Sequence, residues 1–374
     1  MKNVLVFFGG ASSEHDVSII TGVMTANCLG GKYNAVPVYV DRENKWYTGE
    51  ILKDLSWYKS QDKKKVVRAA TLTGDDCLYA VKKNKMKPIL KAYCAINCLH
   101  GLNGEDGSLA GLMRLSGIPF ASPSVFPSAA SMDKYYTKIL MRGLGVKTLR
   151  FAKAERKAYF SDRNRVAEEI GKAIGFPLIV KPANLGSSIG ITLVKEPEKL
   201  KDALDLAFRY DGTVVVEVAL ENFREMNCAC FLFDGKYEVS EVEEPVTAND
   251  ILTFEDKYGS DAVKKFPADI PKKISEKIRK TTALVYKRLG FTGVIRIDYL
   301  LCDDEVYLNE INSVPGSLAY YLFTDATEKF SVMLEKLIEE GIREHNNYKA
   351  NDFIYEGGAL SLNCAKSGKS GRGK

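Results

Sequence analysis

The segment from residue 292 to residue 317, TGVIRIDYLLCDDEVYLNEINSVPGS, constrains the fold most strongly, because it has the pattern of two strands joined by an acidic turn. Side chains alternate between the two faces of a strand, so Arg296 and Asp298 share one face of the first strand. Glu310 and Asn312 likewise share one face of the second strand. An antiparallel register that sets Asp298 opposite Glu310 also sets Arg296 opposite Asn312, and it leaves the acidic run DDE as a three-residue turn.

The opposed carboxylates of this hairpin need a cation between them. Directly opposed side chains lie about 4.5 to 5.5 Å apart at Cβ, where two negative charges repel each other. Mg²⁺ binds hard oxygen ligands from one or two carboxylates and completes its coordination with water and substrate phosphates. We therefore expect a platform for a magnesium nucleotide. The alternative is the solvated face of an ordinary hairpin, because surface strands often carry charge.

The composition limits the partners and the compartment. A chain of 374 residues is long enough for roughly two to three domains. The terminal run from Lys366 to Lys374 carries four of the five net positive charges, so a nucleic-acid partner is not expected. Eight cysteines are scattered along the chain, which indicates reduced thiols. The apolar run at residues 4 to 8 is too short for a signal sequence or a membrane span, so we expect a cytoplasmic protein without membrane contact.

The order of strands and helices predicts an α/β protein. A strand over residues 2 to 10 ends in two glycines and leads into a helix whose N-cap is Ser12 or Ser13, a unit typical of nucleotide-binding folds. The G-x-G-x-x-G spacing is absent, so a dinucleotide site and an oxidoreductase are disfavoured. The loop HGLNGEDG follows a buried strand and sets Glu105 at the carboxyl edge of a parallel sheet, where such sheets bind ligands.

Prolines near residue 122 and later changes of pattern divide the chain into units. We expect an N-terminal substrate-binding domain at 1–122, a central domain at 123–220, a C-terminal domain with the metal site at 221–345, and an extension at 346–374 whose end is disordered. Within these units we expect a solvent-facing lysine-rich connection at 53–65, a helix from 128 to 144, a strand at 147–152, a functional loop at 243–268 and a last helix from 327 to 344.

The segment PLIVKPANLGSSIG joins a buried strand to a flexible loop. Lys181 emerges at the strand end, and the glycines and serines that follow allow backbone amides to approach a phosphate closely. The spacing of a Walker loop is absent. Lysine and magnesium together neutralise the charge on a transferring phosphoryl group, so this loop and the hairpin reinforce each other as parts of a nucleotide site.

Seven motifs in order give the chain a resemblance to a known family. They are GGASSEHDVS (9–18), HGLNGEDG (100–107), SMDKYYTK (131–138), VKPANLGSSIG (180–190), DKYGSD (256–261), RIDYL (296–300) and NEINSVPG (309–316). The chain resembles the D-alanine:D-alanine ligases of the ATP-grasp superfamily over about residues 2 to 345. The resemblance implies an ATP-grasp fold behind a Rossmann-like N-terminal domain. It also implies ATP-dependent formation of an acyl phosphate on one D-amino acid, attack by the amine of a second, and a dipeptide for peptidoglycan precursors.

The resemblance also implies roles for single residues. Glu14 would receive the ammonium group of the first amino acid, Tyr258 and Ser187 would draw the loop at 245–268 over the site by bonding to Glu14, and Arg296 would stabilise the oxyanion. The residues implied at the reacting centre are Glu14, His100, Ser187, Tyr258, Arg296 and Gly316. Those implied at ATP are Lys134, Lys181, Glu217, Glu225 and Lys257. Those implied at two Mg²⁺ ions, with Mn²⁺ as a substitute, are Asp298, Glu310 and Asn312.

Some alternatives stay open. Lys134 taken alone is a surface lysine of a helix, and His100 could be a buried histidine at a strand end. Tyr321 stands where the family usually has a serine that binds the carboxylate of the second substrate, with Ser317 as a substitute donor. The second substrate is therefore open, with D-serine or another amino acid as candidates. A nucleotide-binding homologue without turnover is a further alternative. The resemblance leaves a homodimer open as well.

Overall fold

The computed structural model describes residues 1–83, 85–246, 263–323 and 327–353, and it confirms the α/β class. The strands are β1 (Lys2–Gly9), β2 (Tyr33–Val40), β3 (Trp46–Thr48), β4 (Val67–Leu72), β5 (Asp75–Lys82), β6 (Lys85–Lys91), β7 (Cys94–Asn97), β8 (Phe151–Glu155), β9 (Leu178–Pro182), β10 (Thr192–Val194), β11 (Thr213–Val218), β12 (Arg224–Phe233), β13 (Lys236–Val239), β14 (Glu244–Val246), β15 (Val263–Lys265), β16 (Val294–Cys302) and β17 (Glu305–Asn312).

The α-helices follow the same order. They are α1 (His15–Cys28), α2 (Trp57–Ser60), α3 (Ser108–Ser116), α4 (Val125–Met132), α5 (Lys134–Gly143), α6 (Arg156–Ser161), α7 (Arg163–Ile174), α8 (Leu200–Tyr210), α9 (Lys272–Leu289) and α10 (Thr327–Lys349). Short 3₁₀ helices occur at Glu50–Lys53, Lys63–Lys65, Pro197–Lys199 and Gly316–Leu322.

The N-terminal sheet has the strand order β6-β5-β4-β3-β2-β1-β7. Strand β1 pairs in parallel with β2 and β7, as expected for strands buried on both faces, while β3 to β6 extend the sheet with antiparallel strands. The sequence did not predict this antiparallel extension. The connection at 53–65 is largely exposed as predicted, but Trp57 is buried and anchors it to the core.

The first helix begins later than predicted. It starts at His15 with Glu14 at the N-cap position, instead of Ser12 or Ser13. Ser12 has a different task, because its hydroxyl accepts a hydrogen bond from the Glu14 backbone N–H at 2.9 Å and donates to the His100 carbonyl oxygen at 2.7 Å. The start of α1 is thereby tied to the loop that follows β7.

The central sheet has the order β10-β9-β11-β8, with α7 and α8 packed on one face. The helix predicted over 128–144 is two helices, because Asp133 ends α4 and caps α5. The Asp133 carboxylate accepts from the backbone N–H groups of Tyr135 and Tyr136 at 2.8 and 3.1 Å. Helix α5 therefore starts at Lys134. The strand predicted at 147–152 is β8, a few residues later.

The C-terminal sheet has the order β13-β12-β16-β17 and contains the acidic hairpin. Asp298 pairs with Glu310 and Arg296 with Asn312, which confirms the predicted register at the charged positions. The turn differs. A β-bulge after Asp298 leaves Asn309 as an extra residue, so the turn has two residues, Asp303 and Asp304, with φ of 48° and 64°. Such left-handed values suit a tight two-residue hairpin turn.

Helices α9 and α10 hold the C-terminal part together. Helix α9 packs on the C-terminal sheet, where the Thr282 hydroxyl lies 2.8 Å from the Tyr299 hydroxyl. Helix α10 continues five residues beyond the predicted end at 344, and its apolar face packs against α1 and β7 of the N-terminal part and against β12. Helix α10 thus ties the C-terminal sheet to the N-terminal part.

Further expectations concern the membrane, the cysteines and the long loop. Within the described ranges, no helix has the length and apolarity that crossing a membrane requires. The seven cysteines of those ranges are free thiols. Strands β14 and β15 pair at the two ends of the predicted functional loop. Lys257 and Tyr258 lie outside the described residues.

The three larger sheets fall within the three predicted domains, whose exact boundaries stay a prediction.

Candidate active site

A cleft lies where the three larger sheets approach one another, and its inner cavity draws on all three parts of the chain. Its lining residues are Glu14, Gly101, Glu105, Ser131, Met132, Lys134, Thr137, Leu185, Gly186, Ser187, Arg296, Asn309, Glu310, Ile311 and Asn312. The hairpin of β16 and β17 is therefore one wall of a cavity and is not a solvated face.

Glu14 is a buried carboxylate at the floor of this cavity. The Ser187 hydroxyl donates to Glu14 Oε1, although the two residues lie 173 positions apart. A Cβ atom at Gly186 would lie 2.8 Å from Glu14 Oε2, and one at Gly101, where φ is +71°, would lie 3.0 Å from it. Both glycines thus let backbone close around the carboxylate, and Glu14 and Ser187 meet as the sequence predicted.

His100 is buried behind the cavity. Its Nδ1 lies 2.7 Å from the Val314 carbonyl oxygen and its Nε2 lies 3.0 Å from the Thr21 hydroxyl. Burial lowers the pKa of His100, so the ring is neutral, its Nδ1–H donates to Val314, and its Nε2 accepts from Thr21. The Ser317 backbone N–H also donates to the Thr21 hydroxyl, at 3.1 Å. Since both ring nitrogens bond to protein groups, His100 links the loop after β7 to the turn after β17.

Glu105 is a cavity residue whose position was predicted from the sequence but whose role was not. Its carboxylate accepts from the backbone N–H of Gly101 at 3.0 Å and from that of Val314 at 3.2 Å. Burial, with a further contribution from the charge of Glu14, raises the pKa of Glu105 to about 8. The only signal in the sequence was its place at the carboxyl edge of the parallel sheet.

We call the polar side chains of the hairpin, Arg296, Asp298, Glu310 and Asn312, the carboxylate wall. Arg296 forms a bidentate pair with Asp298, with Nε to Oδ1 at 2.7 Å and Nη2 to Oδ2 at 2.8 Å. The Asn312 amide N–H donates to Asp298 Oδ2 at 3.0 Å, which turns its carbonyl oxygen away from that carboxylate. Glu310 keeps more exposure, 23% of its side chain, and lies 3.9 Å from Lys134 Nζ.

We call Lys134, Lys138 and Lys181 the lysine wall. Lys134 donates to the Leu185 carbonyl oxygen at 2.7 Å, which fixes the glycine-rich loop next to α5. Lys138 and Lys181 each place Nζ 3.0 Å from Glu217 Oε1, and all three of these side chains are buried. Lys134 is therefore not a surface lysine, and Lys138 is a buried cation that the sequence analysis missed.

A second cavity adjoins the first along the lysine wall. Its lining residues are Lys134, Leu149, Ile179, Lys181, Leu185, Gly186, Ser188, Ile191, Glu217, Val218, Leu220, Phe223, Glu225, Leu300, Asn309 and Glu310. Apolar side chains dominate one end, while the lysines and Glu310 stand at the end shared with the first cavity. An apolar slot with few polar groups suits a planar base, and the lysine end suits anions. Glu217 and Glu225, predicted at adenine and ribose, both line this cavity.

The turn after β17 has an unusual backbone. Gly316 precedes three residues in the left-handed region, Ser317, Leu318 and Ala319, with φ of 52°, 50° and 51°. Non-glycine residues rarely adopt this conformation, and such strain is often found at functional sites. The turn brings Tyr321 against the carboxylate wall, where burial raises the pKa of the phenol to about 12 and the positive charge of Arg296 opposes that rise. Lys264 Nζ lies 4.6 Å from the ring centre.

Comparison with known proteins identifies the family to which this chain belongs. A family model described as the D-ala D-ala ligase N-terminus matches residues 3–123, and one described as the D-ala D-ala ligase C-terminus matches residues 140–343. The chain belongs to the D-alanine–D-alanine ligase family. It is therefore an ATP-dependent ligase with the ATP-grasp fold, which confirms the resemblance found in the sequence.

Individual ligases match along most of their length. A D-alanine–D-alanine ligase of Thermosipho melanesiensis is 35% identical and covers 93% of this chain and 96% of its own. The crystal structure of the Helicobacter pylori ligase has a TM-score of 0.75 at 31% identity and covers 91% of this chain and 98% of its own. The VanG D-Ala:D-Ser ligase of Enterococcus faecalis has a TM-score of 0.76 at 28% identity and covers 91% of this chain and 99% of its own.

Proposed function

We propose that this ligase joins D-alanine to D-alanine with ATP, through an acyl phosphate, and so supplies a dipeptide for peptidoglycan precursors. One observation carries the proposal. The Glu14 carboxylate, the Arg296 guanidinium and the Glu310 carboxylate line one cavity, and that cavity adjoins a slot suited to a nucleotide. An amino acid and a γ-phosphate could thus meet between the two walls.

The first step activates the first D-amino acid. Glu14 holds its ammonium group, and Ser187 keeps the Glu14 carboxylate in place through its hydrogen bond. An oxygen of the substrate carboxylate attacks the γ-phosphorus, the bond to the bridging oxygen breaks, and ADP leaves. Lys134 lines both cavities and Lys181 lines the second, where their charge stabilises the transferring phosphoryl group.

The carboxylate wall fits a magnesium site. Asp298 and Glu310 offer hard carboxylate oxygens, and the Asn312 carbonyl oxygen points away from its hydrogen bond to Asp298. Bound there, Mg²⁺ would supply positive charge that offsets the negative charge of the phosphates, and Mn²⁺ has the same ligand preference. We propose two ions at these three residues, with Arg296 already neutralising part of the charge of Asp298.

The second step forms the peptide bond. The amine of the second amino acid attacks the carbonyl carbon of the acyl phosphate, a proton leaves the nitrogen, and phosphate departs with the oxygen that came from the first carboxylate. The Arg296 guanidinium lines the cavity, where its positive charge can stabilise the oxyanion that develops on the carbonyl. We assign Gly316 to the same oxyanion region. We assign Lys257 to the γ-phosphate and Tyr258 to a lid that bonds to Glu14 and excludes water.

A different second substrate is the alternative that a specific observation favours. Tyr321 occupies space next to the carboxylate wall, where the family resemblance implies a small serine hydroxyl. A bulkier phenol changes the size of the second pocket. A solved relative of this chain bears the name D-Ala:D-Ser ligase, so D-serine is the first alternative to test.

Two further points belong to the proposal. We infer that the protein works in the cytoplasm, because the reaction consumes ATP, which is made there. A homodimer is the assembly that the resemblance leaves open, and the mass of the native protein in solution tests it.

The release of phosphate from ATP tests the proposed reaction. We expect release that depends on D-alanine, in a one-to-one ratio with D-alanyl-D-alanine. A panel in which D-serine, D-lactate or another D-amino acid accompanies D-alanine identifies the second substrate by the mass of the product. No phosphate release with any D-amino acid would contradict the proposed function. If a mixed dipeptide forms in preference, its other amino acid is the second substrate instead of D-alanine.

A further inference from the structure

Lys138 is a buried cation that the proposed mechanism does not use. It lies one helical turn after Lys134 on α5, its side chain has 0% exposure, and it lines neither cavity. Its Nζ lies 3.0 Å from Glu217 Oε1 and 3.5 Å from the Asn309 carbonyl oxygen. Removing an ammonium group from water is unfavourable unless its charge is compensated, so a cation at this position calls for a specific role.

Glu217 lies between two ammonium groups. Lys181 Nζ is also 3.0 Å from Glu217 Oε1, and it lies 3.3 Å from Asn309 Oδ1. The β-bulge of the hairpin therefore offers both oxygens of Asn309, one to each lysine. One carboxylate and two ammonium groups leave a net charge of one positive, and of the two lysines only Lys181 faces the nucleotide cavity.

We propose that Lys138 is a positioning residue that supplies the counter-charge of Glu217 and so leaves the positive charge of Lys181 for the phosphates of the nucleotide. This inference rests on the proposed function, in which ATP occupies the second cavity. If Lys138 were neutral, the charges of Glu217 and Lys181 would cancel, and this pair would present little net charge to a phosphate. Lys138 acts without touching the nucleotide.

The protonation state of Lys138 makes this role depend on pH. Burial lowers the pKa of Lys138 to about 8, an effect that the Glu217 carboxylate opposes and the Lys181 ammonium reinforces. Glu310 also faces this cluster, and Lys134 lies 3.9 Å from Glu310. In the free protein the net charge of the cluster therefore falls as the pH rises through the range near 8, and phosphate-dependent binding should weaken with it.

The decisive quantity is the ratio of the dissociation constants of adenosine and ATP, measured by calorimetry with MgCl₂ at pH 7. Changes at the base and the ribose affect both ligands and cancel in this ratio. Lys138→Met should lower the ratio about tenfold or more, the scale of losing a charge-assisted contact. The double variant Lys138→Met, Glu217→Gln removes both charges, restores the net charge, and should recover the ratio to within about threefold of the wild type. Arg142→Met removes an exposed charge from the same helix and should leave the ratio within about twofold.

Results that contradict this inference can be distinguished from those that contradict the proposed function. If Lys138→Met weakened adenosine and ATP equally, or changed neither, or was not rescued by Glu217→Gln, the counter-charge role would be wrong. If Lys138→Met failed to fold, Glu217→Gln alone decides: it removes the carboxylate that the two lysines share, so the ratio should rise above that of the wild type, and an unchanged or lower ratio overturns the role. A wild-type protein that bound no ATP would contradict the proposed function itself, whereas a normal wild type with an unchanged variant contradicts this inference alone.

Discussion

The lysine wall and the carboxylate wall face each other across the same cleft, yet they are built differently. On the lysine wall, Lys138 and Lys181 share the single carboxylate of Glu217 and are almost fully buried. On the carboxylate wall, Asp298 is paired with one arginine while Glu310 stays partly exposed. The first wall thus carries excess positive charge and the second carries excess negative charge. The difference indicates that one wall is prepared for phosphate and the other for a cation.

The pairing within each wall also fixes geometry before any ligand binds. A bidentate arginine–carboxylate pair holds both groups in one plane, and a carboxylate between two ammonium groups holds both lysines. Oriented charges that need no rearrangement are the main source of electrostatic catalysis. Variants that alter one wall at a time should therefore have separable effects.

The largest effect is expected on the carboxylate wall. Glu310→Gln keeps the size of the side chain but removes a metal-binding charge, so we expect dipeptide formation to fall by about 100-fold or more. Asp304→Asn is the matched control, since it removes a carboxylate from the exposed turn of the same hairpin and should leave the rate unchanged. Both rates are measured at saturating substrates and with increasing MgCl₂. Near-normal turnover of Glu310→Gln would exclude Glu310 as a metal ligand.

The lysine wall should respond in binding. Lys181→Met removes the cation that faces the nucleotide cavity, and we expect the KM for ATP to rise about 10- to 100-fold while the KM for D-alanine changes little. Lys195→Met, an exposed lysine just beyond β10, is the control. Steady-state kinetics with each substrate varied in turn measures both constants. Equal changes in the KM values for ATP and D-alanine would contradict the expectation that the two walls have separable effects.

Tyr321, next to the carboxylate wall, tests the proposed site of the second substrate. Tyr321→Ala removes a buried phenol, and we expect the second-substrate KM to rise about tenfold with little change for the first substrate. Tyr321→Phe keeps the ring and isolates the contribution of the hydroxyl. Two-substrate kinetics separates the two KM values. If both KM values stay the same in Tyr321→Ala, Ser317 becomes the candidate donor.

The smallest effect concerns stability and Glu105. Burial raises the pKa of Glu105 to about 8 in the folded protein, whereas the unfolded group titrates near the ordinary glutamate value of 4.5. Between these values the folded state holds a proton that the unfolded state has released, so this group makes stability fall as the pH rises from 4.5 to 8. Glu105→Gln should remove that part of the slope, and the exposed Glu198→Gln should not. Urea unfolding at several pH values measures it, and identical slopes would contradict the buried, protonated state.

The sequence predicted the hairpin register because a period of two residues relates Arg296 to Asp298 and Glu310 to Asn312 in any strand. It could not predict the bulge, since Asn309 has the same local pattern as a regular strand residue. The burial of Lys138 could not be predicted for a related reason: a lysine in the middle of a helix is usually exposed, and only tertiary packing buries it. The left-handed turn at Ser317–Ala319 contradicts local preference and is held by long-range contacts such as the bond to Thr21.

The fate of the carboxylate oxygens of the first D-alanine tests the account most directly. In the proposed reaction, one of these oxygens bonds to the γ-phosphorus and leaves with phosphate when the second amine attacks. With D-alanine labelled with ¹⁸O in its carboxylate, we predict one labelled oxygen in each phosphate released during dipeptide formation. Phosphate that carries no label from D-alanine would show that water attacks ATP directly, and it would contradict the meeting of amino acid and γ-phosphate between the two walls.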